Sequence, residues 1–162
     1  MFERSWYGAV ALVIASRLVA GAAEAPPQVV FVCEHGSAKS LLALSIFERE
    51  AKRQGLELRA VSRGTAPDAS VPPAVVEWLR GDGFDVKSFE PRALKAADVA
   101  SATRVVAIGV DLGPLAAEAG ARLEKWDDIP PLGASYPKAR DAMAAHVASL
   151  LRELARRDAP KR

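Results

Sequence analysis

The chain has 162 residues, a length that suits one domain; 50% of it is hydrophobic and 26% charged, so it can bury a real core. The formal net charge of +2 is too small an excess to argue for nucleic acid or an anionic membrane as partner, so any anion selectivity has to be local. The lone cysteine, Cys33, excludes an intramolecular disulfide. Together with His35 and His146 it makes too thin a set for a cysteine-based zinc site, and neither metal nor cofactor is expected.

At the N-terminus an apolar run over 6–15 follows Glu3 and Arg4 and leads into small residues from Ala20 to Ala25. It is too short for a span, which needs about 20 apolar residues. Residues 1–25 therefore resemble a cleavable signal peptide, which predicts export to the periplasm. If they are instead an uncleaved helix or a misassigned start, the protein is cytoplasmic.

Residues 29–33 are apolar and rich in β-branched side chains, as expected of a strand buried on both faces. A helix is predicted over 40–54, with Leu42, Ala43, Ile46, Phe47 and Ala51 on adjoining stripes and Gly55 as its stop. Alternation over 56–62 predicts a second strand. Pro72 and Pro73 suit the start of a helix that runs to Arg80. Residues 84–86 are expected to be extended, 91–97 a small helix, and 103–109 another buried strand around Val105, Val106 and Ile108. A helix over 114–119, a last strand over 122–126, a loop over 127–137 and a closing helix over 138–157 complete the chain. Strands separated by helices predict an α/β fold: a three-layer sandwich with a central parallel sheet of about four strands flanked by helices. The domain is expected over 26–157, with 158–162 a solvated tail.

The strongest local signal is a strand that ends at Cys33, a turn of Glu34, His35, Gly36 and Ser37, and a helix that starts near Ala38, Lys39 and Ser40. A helix N-terminus offers free N–H groups and the positive end of a dipole, and a loop feeding it can cradle an oxyanion. Gly36 permits a backbone angle that other residues resist. The same field favours a thiolate at Cys33, Ser40 could donate a hydroxyl to it, and Lys39 adds charge. Ligands of open α/β sheets bind at the carboxyl ends of strands, where Cys33 sits. The plainer alternative is a buried, inert cysteine followed by an ordinary turn.

Val30-Phe31-Val32-Cys33, five residues, then Lys39-Ser40 and a helix resembles the phosphate loop of low-molecular-weight protein tyrosine phosphatases and the related arsenate reductases. The segment Val61-Ser62-Arg63-Gly64-Thr65 resembles the Ser-Ala-Gly-Thr stretch that follows the family's second strand. The likeness spans about 28–154. It implies that Cys33 is a nucleophile forming a covalent intermediate, that Ser40 stabilises its thiolate, and that the backbone N–H groups of Glu34, His35, Gly36, Ser37, Ala38 and Lys39 hold the oxygens of a phosphate-like anion or phosphorylated substrate.

Three positions depart from the family's pattern. Lys39 stands where the family has Arg, a point charge in place of a rigid fork. Arg63 stands where the family has Ala; it either lends its guanidinium to the site or is solvated. Pro130 stands where the family's acidic Asp would be, so Asp128 is the candidate general acid, against capping or simple solvation. His35 either tunes Cys33 or the anion, or faces solvent. Tyr136 walls the pocket or packs on the surface, and His146 is taken as structural. The function expected first is hydrolysis of a phosphomonoester through Cys33. A non-catalytic oxyanion- or partner-binding module comes second. An arsenate reductase comes third, and with a single cysteine it would need an external thiol.

Overall fold

A computed structural model describes residues 28–158. The signal-peptide-like segment 1–25 and residues 159–162 of the tail lie outside the described residues. The apolar run begins the domain as β1 (Gln28–Cys33), and the helix after the turn is α1 (Lys39–Arg53). β2 (Arg59–Gly64), α2 (Pro73–Gly81), α3 (Ala96–Ser101) and β3 (Arg104–Ala107) follow. The chain closes with α4 (Pro114–Ala119), β4 (Leu123–Lys125) and α5 (Tyr136–Asp158). Among the described residues no helix is long and apolar enough to cross a membrane.

All four strands are parallel, in the order β2-β1-β3-β4. Successive side chains of a strand point to opposite faces, so β1 feeds two cores. Val29, Phe31 and Cys33 face α1, α2 and α5, where Phe31 meets Phe47 and Trp126 with ring centroids 5.6 and 5.7 Å away. Val30 and Val32 face α3 and α4, beside Val99 and Ala119. From β1 the chain crosses to one side to make β2, then returns to the other side to make β3. The direction of winding therefore switches at the carboxyl end of β1, where α/β sheets open a crevice. Cys33 lies at that point.

The local differences from the expected elements have local causes. β2 starts three residues later than expected because Gly55, at φ +68°, turns the chain and the Leu56 N–H returns to the Ala51 carbonyl at 2.9 Å. Pairing begins only at Arg59, opposite Gln28. Residues 84–86 form no strand; the Phe84 N–H closes the end of α2 onto Leu79, and its ring lies 4.4 Å under the Arg49 guanidinium. Residues 91–95 are not helical. Ala93 bridges Gly64, and α3 begins at Ala96, where the Asp98 carboxylate accepts the Lys95 N–H at 3.0 Å. α5 starts two residues before the expected position, its first turn set by the Ala139 N–H on the Ser135 carbonyl at 3.0 Å.

Candidate functional site

The turn after Cys33 is held from outside. Its carbonyls are taken one by one: Cys33 by the Thr65 N–H at 3.1 Å, Glu34 by the Ala66 N–H at 2.8 Å, and His35 by the Asp68 N–H at 3.0 Å. The Ser62 hydroxyl donates to the Gly36 carbonyl at 3.0 Å. With the carbonyls drawn outward, the amides face the other way. Among the described residues no partner takes the N–H groups of Glu34, His35, Ser37 or Ala38, and Ala38 makes no side-chain cap for α1. This is the cradle that a helix N-terminus offers an anion. Gly36, at φ +65°, and Gly64 touch backbone to backbone. A Cβ on Gly36 would come within 2.7 Å of the Gly64 nitrogen, and one on Gly64 within 2.9 Å of the Glu34 oxygen.

Cys33 is 4% exposed at the floor of this cradle. Its Sγ accepts the Gly36 N–H at 3.3 Å and lies 3.0 Å from the Ser40 hydroxyl, which lies 2.8 Å from the Ser62 hydroxyl. Each hydroxyl has one proton, so the row has two consistent orders. As a thiol, Cys33 donates to Ser40, Ser40 to Ser62, and Ser62 to the Gly36 carbonyl. As a thiolate, Cys33 accepts from Ser40 while Ser62 turns to donate to Ser40. The row can therefore satisfy either form of the sulfur without moving a heavy atom.

A cleft of about 270 Å³ opens above Sγ. Glu34, His35, Ala38 and Lys39 form one side; Val75 and Trp78 of α2 and Pro131, Leu132 and Gly133 form the other. The Lys39 ammonium lines it and donates to the Ile129 carbonyl at 2.8 Å, tying α1 to the loop after β4. His35 lies at the mouth, its side chain 54% exposed, with Nδ1 3.2 Å from Asp68 Oδ1 and Nε2 3.7 Å from Glu34 Oε2. The buried Ser37 hydroxyl also donates to Asp68.

The structure does not bring Asp128 to this cleft. Its carboxylate turns to α5, with both oxygens 2.9–3.0 Å from His146 Nε2. That ring stacks on Trp126 at 4.8 Å, so His146 is the structural residue expected. The hydrogen bond from His146 holds the Asp128 carboxyl below the usual range, which suits an anion rather than an acid. Arg63 follows neither expectation. Its guanidinium forks onto Asp98 at 2.9 and 3.0 Å and also donates to the Ser62 carbonyl, so it serves β2 and α3. Burial pushes the Asp98 carboxyl up, but the Arg63 hydrogen bonds and charge with the Lys95 N–H outweigh it, and the carboxyl lies below the usual range. Tyr136 backs the wall instead of forming it: it stacks on Trp78 at 5.5 Å and donates to Asp82 at 2.5 Å. Burial and then the Asp82 carboxylate push its phenol up.

Sequence reasoning missed Trp78, Asp68 and Ser62. Nothing local says which helix overhangs the loop. A serine at an inward position of β2 was a usable sign, because a buried hydroxyl has to find a partner. Among the described residues no three His, Cys, Asp or Glu side chains are grouped to hold a metal ion.

The family model of low molecular weight phosphotyrosine protein phosphatase matches residues 28–125. Solved structures share the fold. YfkJ from Bacillus subtilis is 20% identical, with a TM-score of 0.71 over 82% of this chain and 97% of its own. A low molecular weight protein tyrosine phosphatase from T. tengcongensis is 22% identical, with a TM-score of 0.69 over 78% of this chain and 99% of its own. An arsenate reductase in the phosphate binding state is 20% identical, with a TM-score of 0.65 over 78% and 98%. At such identities the likeness is one of fold. Among curated proteins none matches the chain.

Proposed function

Because the chain belongs to the low molecular weight phosphotyrosine protein phosphatase family, we propose that it binds a phosphomonoester dianion in the 33–40 loop and hydrolyses it through a Cys33 thiolate. One observation carries the reading: a sulfur at the floor of a loop whose Cys33, Glu34 and His35 carbonyls are engaged from outside while the amides of Glu34, His35, Ser37 and Ala38 are left to an anion. Cys33 attacks phosphorus, and the ester oxygen leaves. The free N–H groups hold the equatorial oxygens, where charge builds in the transition state. Ser40 steadies the thiolate before attack and as it departs in the second step. Lys39 contributes a point charge rather than a fork, with one of its three donors already given to Ile129. The apolar wall of Val75, Trp78 and Leu132 suits an aryl ester. Turnover of p-nitrophenyl phosphate that is lost in Cys33→Ser is the expected result. No Cys33-dependent turnover from acidic to neutral pH would sink the reading.

A second reading, an oxyanion-binding module without turnover, is favoured by the two commitments already made, Lys39 to Ile129 and Asp128 to His146. Phosphate that protects Cys33 from alkylation in a protein that hydrolyses no ester would establish it. Arsenate reduction would require an external thiol, because Cys33 has no second cysteine in the chain.

A further inference from the structure

We propose that His35, oriented by Asp68, is the acid that protonates the leaving oxygen and the base that then activates water; the inference rests on the phosphatase reading above. In displacement at phosphorus the nucleophile and leaving oxygen lie roughly in line. Sγ is at the floor, so the leaving oxygen departs toward the mouth, and the acid has to sit there. The ionisable side chains lining the cleft are Cys33, Glu34, His35 and Lys39. Lys39 is engaged with Ile129 and acts as a charge. Glu34 is 67% exposed, and an ionised carboxylate accepts hydrogen bonds rather than donating them. Asp128 is held away on His146. His35 remains, and imidazole is the side chain that exchanges a proton near neutrality.

Its setting supports that work. A carboxylate on one ring nitrogen fixes the ring and leaves the other to handle the proton. Asp68 Oδ1 faces Nδ1 at 3.2 Å, while Nε2 has only the looser contact with Glu34 at 3.7 Å. Asp68 is itself pinned, since its N–H donates to the His35 carbonyl and its other oxygen takes the Ser37 hydroxyl. The charges about the imidazole are thus Asp68 from the loop after β2, Glu34 beside it, and the Lys39 ammonium that lines the same cleft. In the first step the Cys33–phosphorus bond forms, the phosphorus–oxygen ester bond breaks, and the ester oxygen takes the electron pair and the Nε2 proton. In the second, neutral His35 takes a proton from water as water attacks phosphorus. The sulfur–phosphorus bond then breaks with its pair on Cys33, returning thiolate, imidazolium and inorganic phosphate.

The test is the dependence of kcat/KM on the leaving group, which a merely structural residue would not tilt. Wild type, His35→Gln and Asp68→Asn are compared on dinitrophenyl, p-nitrophenyl and phenyl phosphate. His35→Gln is expected to stay within about threefold of wild type on the dinitrophenyl ester, whose oxygen leaves unaided, and to lose about 100-fold on the phenyl ester. Asp68→Asn, a change at a positioning residue, should show the same tilt with a smaller loss. Equal losses across the three esters, or none, would overturn the assignment of His35. Failure of wild type to turn over even the dinitrophenyl ester through Cys33 would overturn the phosphatase reading itself, and this inference with it.

Discussion

At Lys39 the site departs most from its family. The ammonium donates to the Ile129 carbonyl at 2.8 Å, and a Cβ on Gly109 would stand 3.3 Å from it, so the side chain is both tethered and closely flanked. A guanidinium in its place would keep one donor for Ile129 and offer a planar pair to the anion. Lys39→Arg is therefore expected to tighten phosphate binding about tenfold, or about 1.4 kcal/mol, read as protection of Cys33 from iodoacetamide. An unchanged midpoint would mean that the tether keeps the fork out of the cradle. Gly64 is the second such position. A methyl group added there would meet backbone atoms of the loop at 2.9 Å, and backbone cannot swing aside. Gly64→Ala should cost about 1–3 kcal/mol in urea unfolding and abolish phosphate protection while the fold survives; wild-type protection would refute the close packing. Cys33 and Ser40 were legible because strand, turn and helix are neighbours in sequence. Asp128 and Arg63 were not. Their partners, His146 and Asp98, lie 18 and 35 residues away, and nothing at either position announces them.

Elements were legible where burial is two-sided and periodicity long. β1 and β3 read as apolar runs because both faces are covered, and α1 and α5 read from their stripes. β2 is an edge strand with an alternating pattern that runs on without a break into the turn before it, which explains its shifted start. The small helix was misplaced because 92–94 pairs with Gly64: the Gly64 N–H donates to the Arg92 carbonyl and the Leu94 N–H to the Gly64 carbonyl, both at 2.9 Å. That pairing and the Arg63–Asp98 fork fasten α3 to β2, the strand that carries Ser62 and Gly64 to the loop. The fork's two side chains are 19% and 15% exposed. Arg63→Ala leaves Asp98 largely buried without its partner and should cost about 3 kcal/mol, measured by urea with an unchanged slope. Arg63→Lys keeps the charge, loses the fork, and should cost less. A loss under about 0.5 kcal/mol in Arg63→Ala, the scale of an ordinary surface change, would show that α3 is fastened by the backbone pairing alone.

For the whole molecule, the order β2-β1-β3-β4 puts the winding switch over Cys33, and it was invisible to pattern reading because order depends on which crossover packs where. Global stability also integrates the carboxylates that the fold perturbs, and they do not all pull one way. Burial raises the Glu48 carboxyl. A folded-state value above the unfolded one, about 4.3, means that Glu48 opposes folding when ionised, and that this cost fades as pH falls. Asp98 and Asp128 are shifted the other way, Asp98 by its fork against the effect of burial and Asp128 by His146. Their folded-state values lie below the unfolded one, about 3.9. Their contribution is therefore whole above that value and is lost as pH drops through the folded values, because the unfolded chain then binds more protons. The melting temperature should accordingly hold level or rise slightly from about pH 6 to about 4.5, then fall below about 4. Glu48→Gln should remove the upper feature and Asp98→Asn should flatten the acid limb. An acid limb equally steep in Asp98→Asn would mean that acid lability comes from elsewhere in the fold, and that the Arg63 fork contributes nothing to it.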